Sequence, residues 1–323
     1  MLKLPDSWIW DSWYTFDGEV HHAFFLRASR ALQDPFRRHR HPYIGHATSR
    51  DLVNWELQPD ALAISDSPAW DSWTTWTGSV TRDESGTWWM FYTGTSREDG
   101  GDIQRVGAAV SSDLFAWTKV DPSPLTEAAP EWYEELDYEV WHDQAWRDPW
   151  VFKHEDEWHM FVTARAKTGD RLGRGVVGHA VSKNLTQWTV LPPLTKTDSG
   201  FGQMEVVQVE EIDGTHVMLW CCGPRELSDE MREKYPLGGM FSVTGPSPLG
   251  PFDPSAAVWF PHETLYAARA VEHAGRWYLI GFIGGPEDQS FGGYLSDPIP
   301  VRLHEGGLLP DTEFSQLESS RSL

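Results

Sequence analysis

Cysteine is nearly missing from this chain: Cys221 and Cys222 are the only two among 323 residues. They are neighbours in a run that reads as a strand, where adjacent side chains face opposite ways, so no disulfide is expected between them. A chain without a framework of bridges fits a reducing compartment. Positive charge is scarce as well, with 26 Lys and Arg against 48 Asp and Glu and a formal net charge of −22. No basic stripe offers itself to phosphates, which excludes nucleic acid and anionic membranes as expected partners. No run comes near the ~18 apolar residues of a membrane span. The opening Met1-Leu2-Lys3-Leu4-Pro5-Asp6 holds no apolar signal core. Together these absences predict a cytoplasmic protein. The cluster His39, His41 and His46 suggests a metal, but His41 and His46 lack a Cys or carboxylate at ligand spacing, so neither a metal nor a cofactor is expected, and Arg37 to His41 reads as a solvated loop.

Aromatic residues are abundant, with 19 Trp and 15 Phe. Tryptophan is costly to bury unless its N–H finds a partner, so this many predict aromatic packing between repeated units, with some lining a pocket. A strand, turn, strand unit does repeat. Its second strand is apolar and follows an acidic or Gly-bearing turn, near Gly18, Gly86, Asp156, Gly214 and Gly275. A second signature, Gly-x-Ala-x-Ser-x-(Asp/Asn)-Leu-x-x-Trp, spans Gly45 to Trp55, Gly107 to Trp117 and Gly178 to Trp188, its copies starting 62 and 71 residues apart. Repeats of this length with about four strands each make a propeller.

The predicted fold class is therefore all-β: a five-bladed β-propeller with four-stranded antiparallel blades around a central pocket. A single catalytic domain is expected over 1–323, with blades at about 7–59, 60–122, 123–192, 193–254 and 255–303 and no C-terminal β-sandwich. An acidic insertion, Glu127 to Asp143, is long enough to form a wall of the pocket mouth. Ser228 to Lys234 reads as a short helix capped by Ser228. The polar tail from Pro310 to Leu323 is expected to be frayed or pinned on the surface.

In a propeller the innermost strands line the central channel, and residues at one end of them meet over the axis. Counting back from the second strand of each hairpin, Asp11 precedes Val20 by 9, Ser79 precedes Trp88 by 9 and Asp148 precedes Trp158 by 10. Glu205 precedes His216 by 11, and Tyr266 precedes Trp277 by 11. These five positions are expected to be equivalent to within one or two residues, so three of the five blades carry an acid there. Asp71, in the second Trp-Asp-Ser-Trp, precedes Trp88 by 17 and falls out of phase. Arg147 neighbours Asp148, but strand alternation turns it the other way, so it need not neutralise that acid. Converging like charges raise one another's pKa and are costly without a use. Glycoside hydrolysis has such a use: one carboxylate attacks or activates water while another protonates the leaving oxygen. The plainer alternative is that each acid caps a strand or binds backbone N–H groups.

The residues that carry this pattern resemble the β-fructosidase clan, the invertase and levanase group (glycoside hydrolase family 32) together with the levansucrase group (family 68). Trp10-Asp11-Ser12-Trp13 resembles the levansucrase nucleophile motif, and Trp76-Thr77-Gly78-Ser79 the Trp/Phe-Ser-Gly-Ser motif of both. Arg147-Asp148-Pro149 matches their shared Arg-Asp-Pro, and Tyr266-Ala267-Ala268 resembles the Tyr-Ala motif of the last invertase blade. Glu205 departs from the clan, being followed by Val206-Val207 and not by Cys-Pro or Arg-Pro. The resemblance implies a retaining enzyme acting on a small carbohydrate substrate, a β-fructofuranoside such as sucrose or a short fructo-oligosaccharide. It implies Asp11 as nucleophile, Asp148 as transition-state stabiliser and Glu205 as acid/base. Trp10, Trp13, Trp76, Ser79, Arg147, Gln203 and Tyr266 would shape the sugar pocket. Two alternatives stand beside it: an inverting arabinofuranosidase or xylosidase like those of family 43, and a sugar-binding propeller without catalysis.

Overall fold

The hairpins expected from the acidic and Gly-bearing turns form in all five places. The structure, a computed structural model, describes residues 1–120, 122–284 and 291–311. In the first sheet, β1 (Ser7–Phe16), β2 (His21–Ser29), β3 (Tyr43–Ser49) and β4 (Glu56–Leu62) pair in chain order. The second holds β5 (Thr74–Arg82), β6 (Trp88–Thr95), β7 (Arg105–Ser111) and β8 (Thr118–Lys119), with β9 (Thr126–Glu127) pairing β7 from outside that path. The third holds β10 (Trp146–His154), β11 (Glu157–Arg165), β12 (Gly175–Ser182) and β13 (Thr189–Leu191). The fourth holds β14 (Glu205–Ile212), β15 (Thr215–Cys222), β16 (Gly239–Gly245) and β17 (Val258–Trp259). The fifth holds β18 (Leu265–His273), β19 (Arg276–Ile283), β20 (Ile299–His304) and β21 (Gly307–Pro310). Neighbouring strands of the blades run antiparallel, as tight turns require. This is a five-bladed propeller of four-stranded antiparallel blades.

Three short strands lie outside the expected limits. Val258–Trp259 belongs to the fourth sheet, Thr126–Glu127 to the second, and Gly307–Pro310 carries the fifth sheet beyond 303. Edge strands of two to four residues are too short for alternation to be read from sequence, so only pairing reveals their sheet. Of the expected surface tail, 312–323 lie outside the described residues.

The repeated Ser-x-(Asp/Asn)-Leu-x-x-Trp signature is turn chemistry at the exit of the third strand. In the first blade, Asp51 accepts hydrogen bonds from the backbone N–H groups of Val53 and Asn54, and Ser49 donates to it. Leu52 takes a left-handed φ of 61° while its side chain is buried, and Trp55 Nε1 donates back to the Leu52 carbonyl at 2.9 Å. Leu114 with Trp117 and Leu185 with Trp188 repeat the same closure. The second strands supply the core. Phe25, Phe91 and Phe161 on β2, β6 and β11 are completely buried, each contributing on the order of 2 kcal/mol. The helix α1 (Asp229–Lys234) is capped as expected, with Ser228 Oγ accepting from the Met231 N–H. No helix of the described residues is long and apolar enough to cross a membrane.

Candidate active site

Each innermost strand breaks its pairing with the second strand at one place. The register slips between Trp10 and Ser12 on β1, Trp76 and Gly78 on β5, and Arg147 and Trp150 on β10. It slips again between Glu205 and Gln208 on β14 and between Tyr266 and Arg269 on β18. A bulge leaves its residue unpaired and re-aims the side chain. Left-handed φ values mark it at Asp11 (21°), Asp148 (60°), Val206 (56°) and Ala267 (46°). On β5 the slip needs glycine: a Cβ on Gly78 would lie 2.0 Å from the Phe91 carbonyl oxygen. Residues at and beside all five bulges open onto one cavity of about 280 Å³.

Pairing resolves the one- or two-residue latitude of the phase inferred from counting. The positions equivalent to Asp11 and Asp148 are Thr77, Val206 and Ala267; Glu205 and Tyr266 stand one residue earlier, and Ser79 two later than Thr77. Hairpin turns of unequal length shift a count made from the second strand by a residue or two. Trp10, Trp76, Gln203 and Tyr266 line the cavity, together with Arg147 and the three acids. Trp13 and Ser79 do not. Trp13 is fully buried against Phe24, and the Ser79 hydroxyl accepts from the Val151 N–H, joining the second blade to the third. Asp71 also lies away from the cavity, bonded to Lys119 and Tyr92.

Arg147 does not turn away from Asp148. Its Nε lies 3.5 Å from Asp148 Oδ2, because the bulge after it removes the strict alternation of the strand. The same guanidinium donates to Glu205 Oε1 at 2.7 Å, to Gln203 Oε1 at 2.7 Å and to Gln104 Oε1 at 3.1 Å, and reaches Asp143 Oδ2 at 3.3 Å. Burial works against its charge, but Asp143, Glu205 and Asp148 outweigh it and hold the guanidinium well above its ordinary pKa. Tyr266 donates its phenol proton to Glu205 Oε2, and burial keeps that phenol protonated far above its usual range. Both oxygens of Glu205 are therefore held.

Asp148 is buried and densely held. Thr163 Oγ1 donates to Asp148 Oδ2 at 2.7 Å, the Val206 N–H donates to the same oxygen at 3.3 Å, and its own N–H donates to Thr93 Oγ1 at 2.9 Å. Burial raises its pKa, Arg147 opposes that and Glu205 adds to it. Asp11 has a sparser setting, with the Thr77 hydroxyl donating to its Oδ2. Burial, then Asp148, push its pKa up to about 7 against that hydrogen bond. The site thus holds carboxyl groups in distinct surroundings, which is the condition for dividing attack from protonation between them.

The rim contains residues that sequence reasoning misplaced or passed over. The Arg37 to His41 loop is not solvated throughout: Arg38 is buried, its guanidinium 3.9 Å from the Phe291 ring and 5.7 Å from Trp10, and the segment folds as a 3₁₀ turn (Pro35–Arg40) over the cavity. Arg40 pairs with Asp102 at 2.6 Å, tying the first blade's loop to the second's across the mouth. The end of the acidic insertion, His142 and Asp143, lines the mouth. Glu226 faces the cavity too, its pKa pushed up to about 8 by burial and by Glu205. No signal short of the folded chain marked Glu226, which follows its blade's second strand at no repeated spacing. Among the described residues no group of three or more His, Cys, Asp or Glu is placed to hold a metal ion.

Comparison with known proteins adds four findings. The sequence profile of the glycosyl hydrolases family 32 N-terminal domain matches residues 13–295. The sucrose-6-phosphate hydrolase of Bacillus subtilis is 32% identical over 208 residues, which are 62% of this chain and 38% of that protein, so the chain spans well under half of the curated relative's length. Among solved structures, the inulosucrase of Halalkalicoccus jeotgali bound to kestose superposes with a TM-score of 0.74 at 21% identity, covering 95% of this chain and 89% of that one. The family 32 β-fructofuranosidase of Bombyx mori gives a TM-score of 0.74 at 19% identity, covering 98% and 65%. At such identities the superpositions speak for the fold.

Proposed function

The chain belongs to family 32 of the glycosyl hydrolases, and on that premise we propose that it is a retaining β-fructofuranosidase acting on sucrose or short fructo-oligosaccharides. The observation that carries this reading is the meeting of Asp11, Asp148 and Glu205 on one sugar-sized cavity, with Arg147 bonded to Glu205 and beside Asp148. Asp11, as carboxylate, attacks the anomeric carbon of the fructosyl unit. The glycosidic C–O bond breaks as Glu205 gives its proton to the departing oxygen, leaving a fructosyl ester on Asp11. Asp148 accepts hydrogen bonds from sugar hydroxyls and offsets the positive charge that builds on the ring. Glu205 then takes a proton from water, whose oxygen displaces the ester, and two inversions at one carbon give net retention. A sugar hydroxyl entering in place of that water turns the same cycle into transfer. Trp10 and Trp76 offer aromatic walls to the substrate.

The reading includes a cytoplasmic place of action, supported by two buried free thiols, Cys221 and Cys222, and checked by cell fractionation. The chemical test is a panel of sucrose, inulin oligomers, difructose anhydrides and arabinofuranosides with products followed by NMR. Fructose released first as the β-anomer is expected. Turnover of arabinofuranosides without fructosides, or initial release of the inverted anomer, would sink the assignment.

A further inference from the structure

Beneath the acids lies a second guanidinium that none of the roles above uses. Arg269 on β18 is 1% exposed. It belongs to the fifth blade, yet its Nη2 reaches the Gly78 carbonyl of the second at 3.4 Å. Those blades are not neighbours in the ring, so the side chain crosses the propeller axis. Its Nη1 donates to the carbonyls of Val206 at 3.2 Å and Val207 at 2.6 Å on the fourth blade. Arg269 also lines a cavity of about 200 Å³ that includes Trp150, Gln208 and Glu210, and it lies over the Trp150 ring at 5.1 Å. Its partner Val206 lines the cavity that holds the acids, so Arg269 ties the walls of the two cavities together.

The carbonyls it takes are informative. Gly78 follows Thr77, whose hydroxyl holds Asp11. Val206 and Val207 follow Glu205, and the Val206 N–H holds Asp148. These are peptides of the bulges, where ladder partners are lost and carbonyls need another donor. A guanidinium offers several N–H groups in one rigid plane and serves two strands at once, which an ammonium cannot match. Among the described residues its hydrogen bonds go to backbone carbonyls, and its Nε has no partner. A buried cation so placed is costly unless its position is put to use.

We propose that Arg269 is a positioning residue for the reaction: by pinning the bulges of the second and fourth blades across the axis, it sets the places of Asp11, Asp148 and Glu205 relative to one another. The role rests on the fructosidase reading. The charges facing the guanidinium agree with it: burial lowers Arg269 to about 10, while Asp148, Asp11 and Glu210 act against that loss. In turn Arg269 is one of the groups that lower Asp148. A cation there favours the ionised form of the acids above it.

The test is steady-state kinetics of the whole chain with sucrose from pH 4 to 9 for the wild type, Arg269→Met and Arg269→Lys, with thermal unfolding of each. Arg269→Met is expected to lower kcat by about 10²-fold with KM within about threefold, because misplaced groups weaken the transition state more than the ground state. Its acidic limb of kcat/KM is expected to move to higher pH. Arg269→Lys keeps the charge but not the fork, so it should restore the limb while kcat stays about tenfold low. If Arg269→Met does not fold, Arg269→Lys decides: wild-type kcat in the folded Lys variant overturns the role. A folded Met variant with wild-type kcat and pH profile overturns it too. A wild type inactive on every fructoside overturns the fructosidase reading and this role with it, whereas an active wild type matched by the variants overturns the role alone.

Discussion

The first and third blades are built alike but surround their aspartates differently. Both bulge on the innermost strand at an aspartate with positive φ, both leave the third strand through the same Ser-x-(Asp/Asn)-Leu-x-x-Trp closure, and both bury a histidine pair between their second and third strands. His22 Nδ1 and His46 Nε2 share a hydrogen bond at 2.9 Å; His159 Nδ1 and His179 Nε2 share one at 3.0 Å. What differs is the company of the aspartate. Asp148 has Arg147, the Thr163 hydroxyl and the Val206 N–H, whereas Asp11 has the Thr77 hydroxyl of the next blade. A repeated backbone device thus delivers the same residue type to the axis, and the neighbours there decide whether it is clamped by many partners or held by few.

The largest expected break in this comparison is Asp11→Asn. Removing a covalent nucleophile is expected to lower kcat by at least about 10³-fold, while a near-normal rate would return Asp11 to a structural part. The same variant should gain stability at alkaline pH. Asp11 titrates near 7 in the folded chain and at 3.8 as an ordinary aspartate, so its contribution is present below 3.8 and lost as pH rises through about 7. Asp11→Asn should therefore unfold several degrees above the wild type at pH 8, with the gap closing towards pH 4. A differential scan showing no gap at pH 8 contradicts the raised pKa.

A smaller effect separates the two threonines. In the wild type, kcat/KM is expected to fall as pH drops through about 7, where Asp11 becomes protonated. Thr77→Val removes the hydroxyl that opposes this protonation and should carry the limb upward by about one pH unit. Thr163→Val leaves Arg147 beside Asp148 and should move the limb little. Equal shifts in the two pH profiles would erase the distinction between the aspartates.

The smallest effect tests what the blades share. Burial lowers His46 to about 3 and His179 to about 4, from an ordinary 6.5. A group with a lowered folded pKa contributes stability above its unfolded value and loses it as pH falls through the folded one. Melting temperature should thus decline between pH 6.5 and about 3, and His46→Gln should flatten that decline more than His179→Gln.

The strand, turn, strand repeats, the three-fold Leu-x-x-Trp closure and the cap of α1 were readable because each is local: a few residues in a row make the hydrogen bonds that define it. Asp11, Asp148 and Glu205 were found by carrying that local phase around the ring. The errors have other origins. Ser79 was placed by a count that unequal turns displaced from Thr77, Arg147 was turned away from Asp148 by assuming unbroken alternation through a strand that bulges, and Trp13 was given to the pocket by resemblance alone. Arg38 and Glu226 carried no phase, and the reach of Arg269 across the axis, like their places, depends on segments far away in the chain.

Composition and local pattern by themselves determined that this chain makes five similar sheets and that three of the innermost strands carry an acid at nearly equivalent positions. Only the closed ring decided which side chains meet. Burial, the approach of like charges and the reach of Arg147 and Arg269 are contacts between blades separated by tens of residues, and such contacts come into being when the sheets close around a common axis.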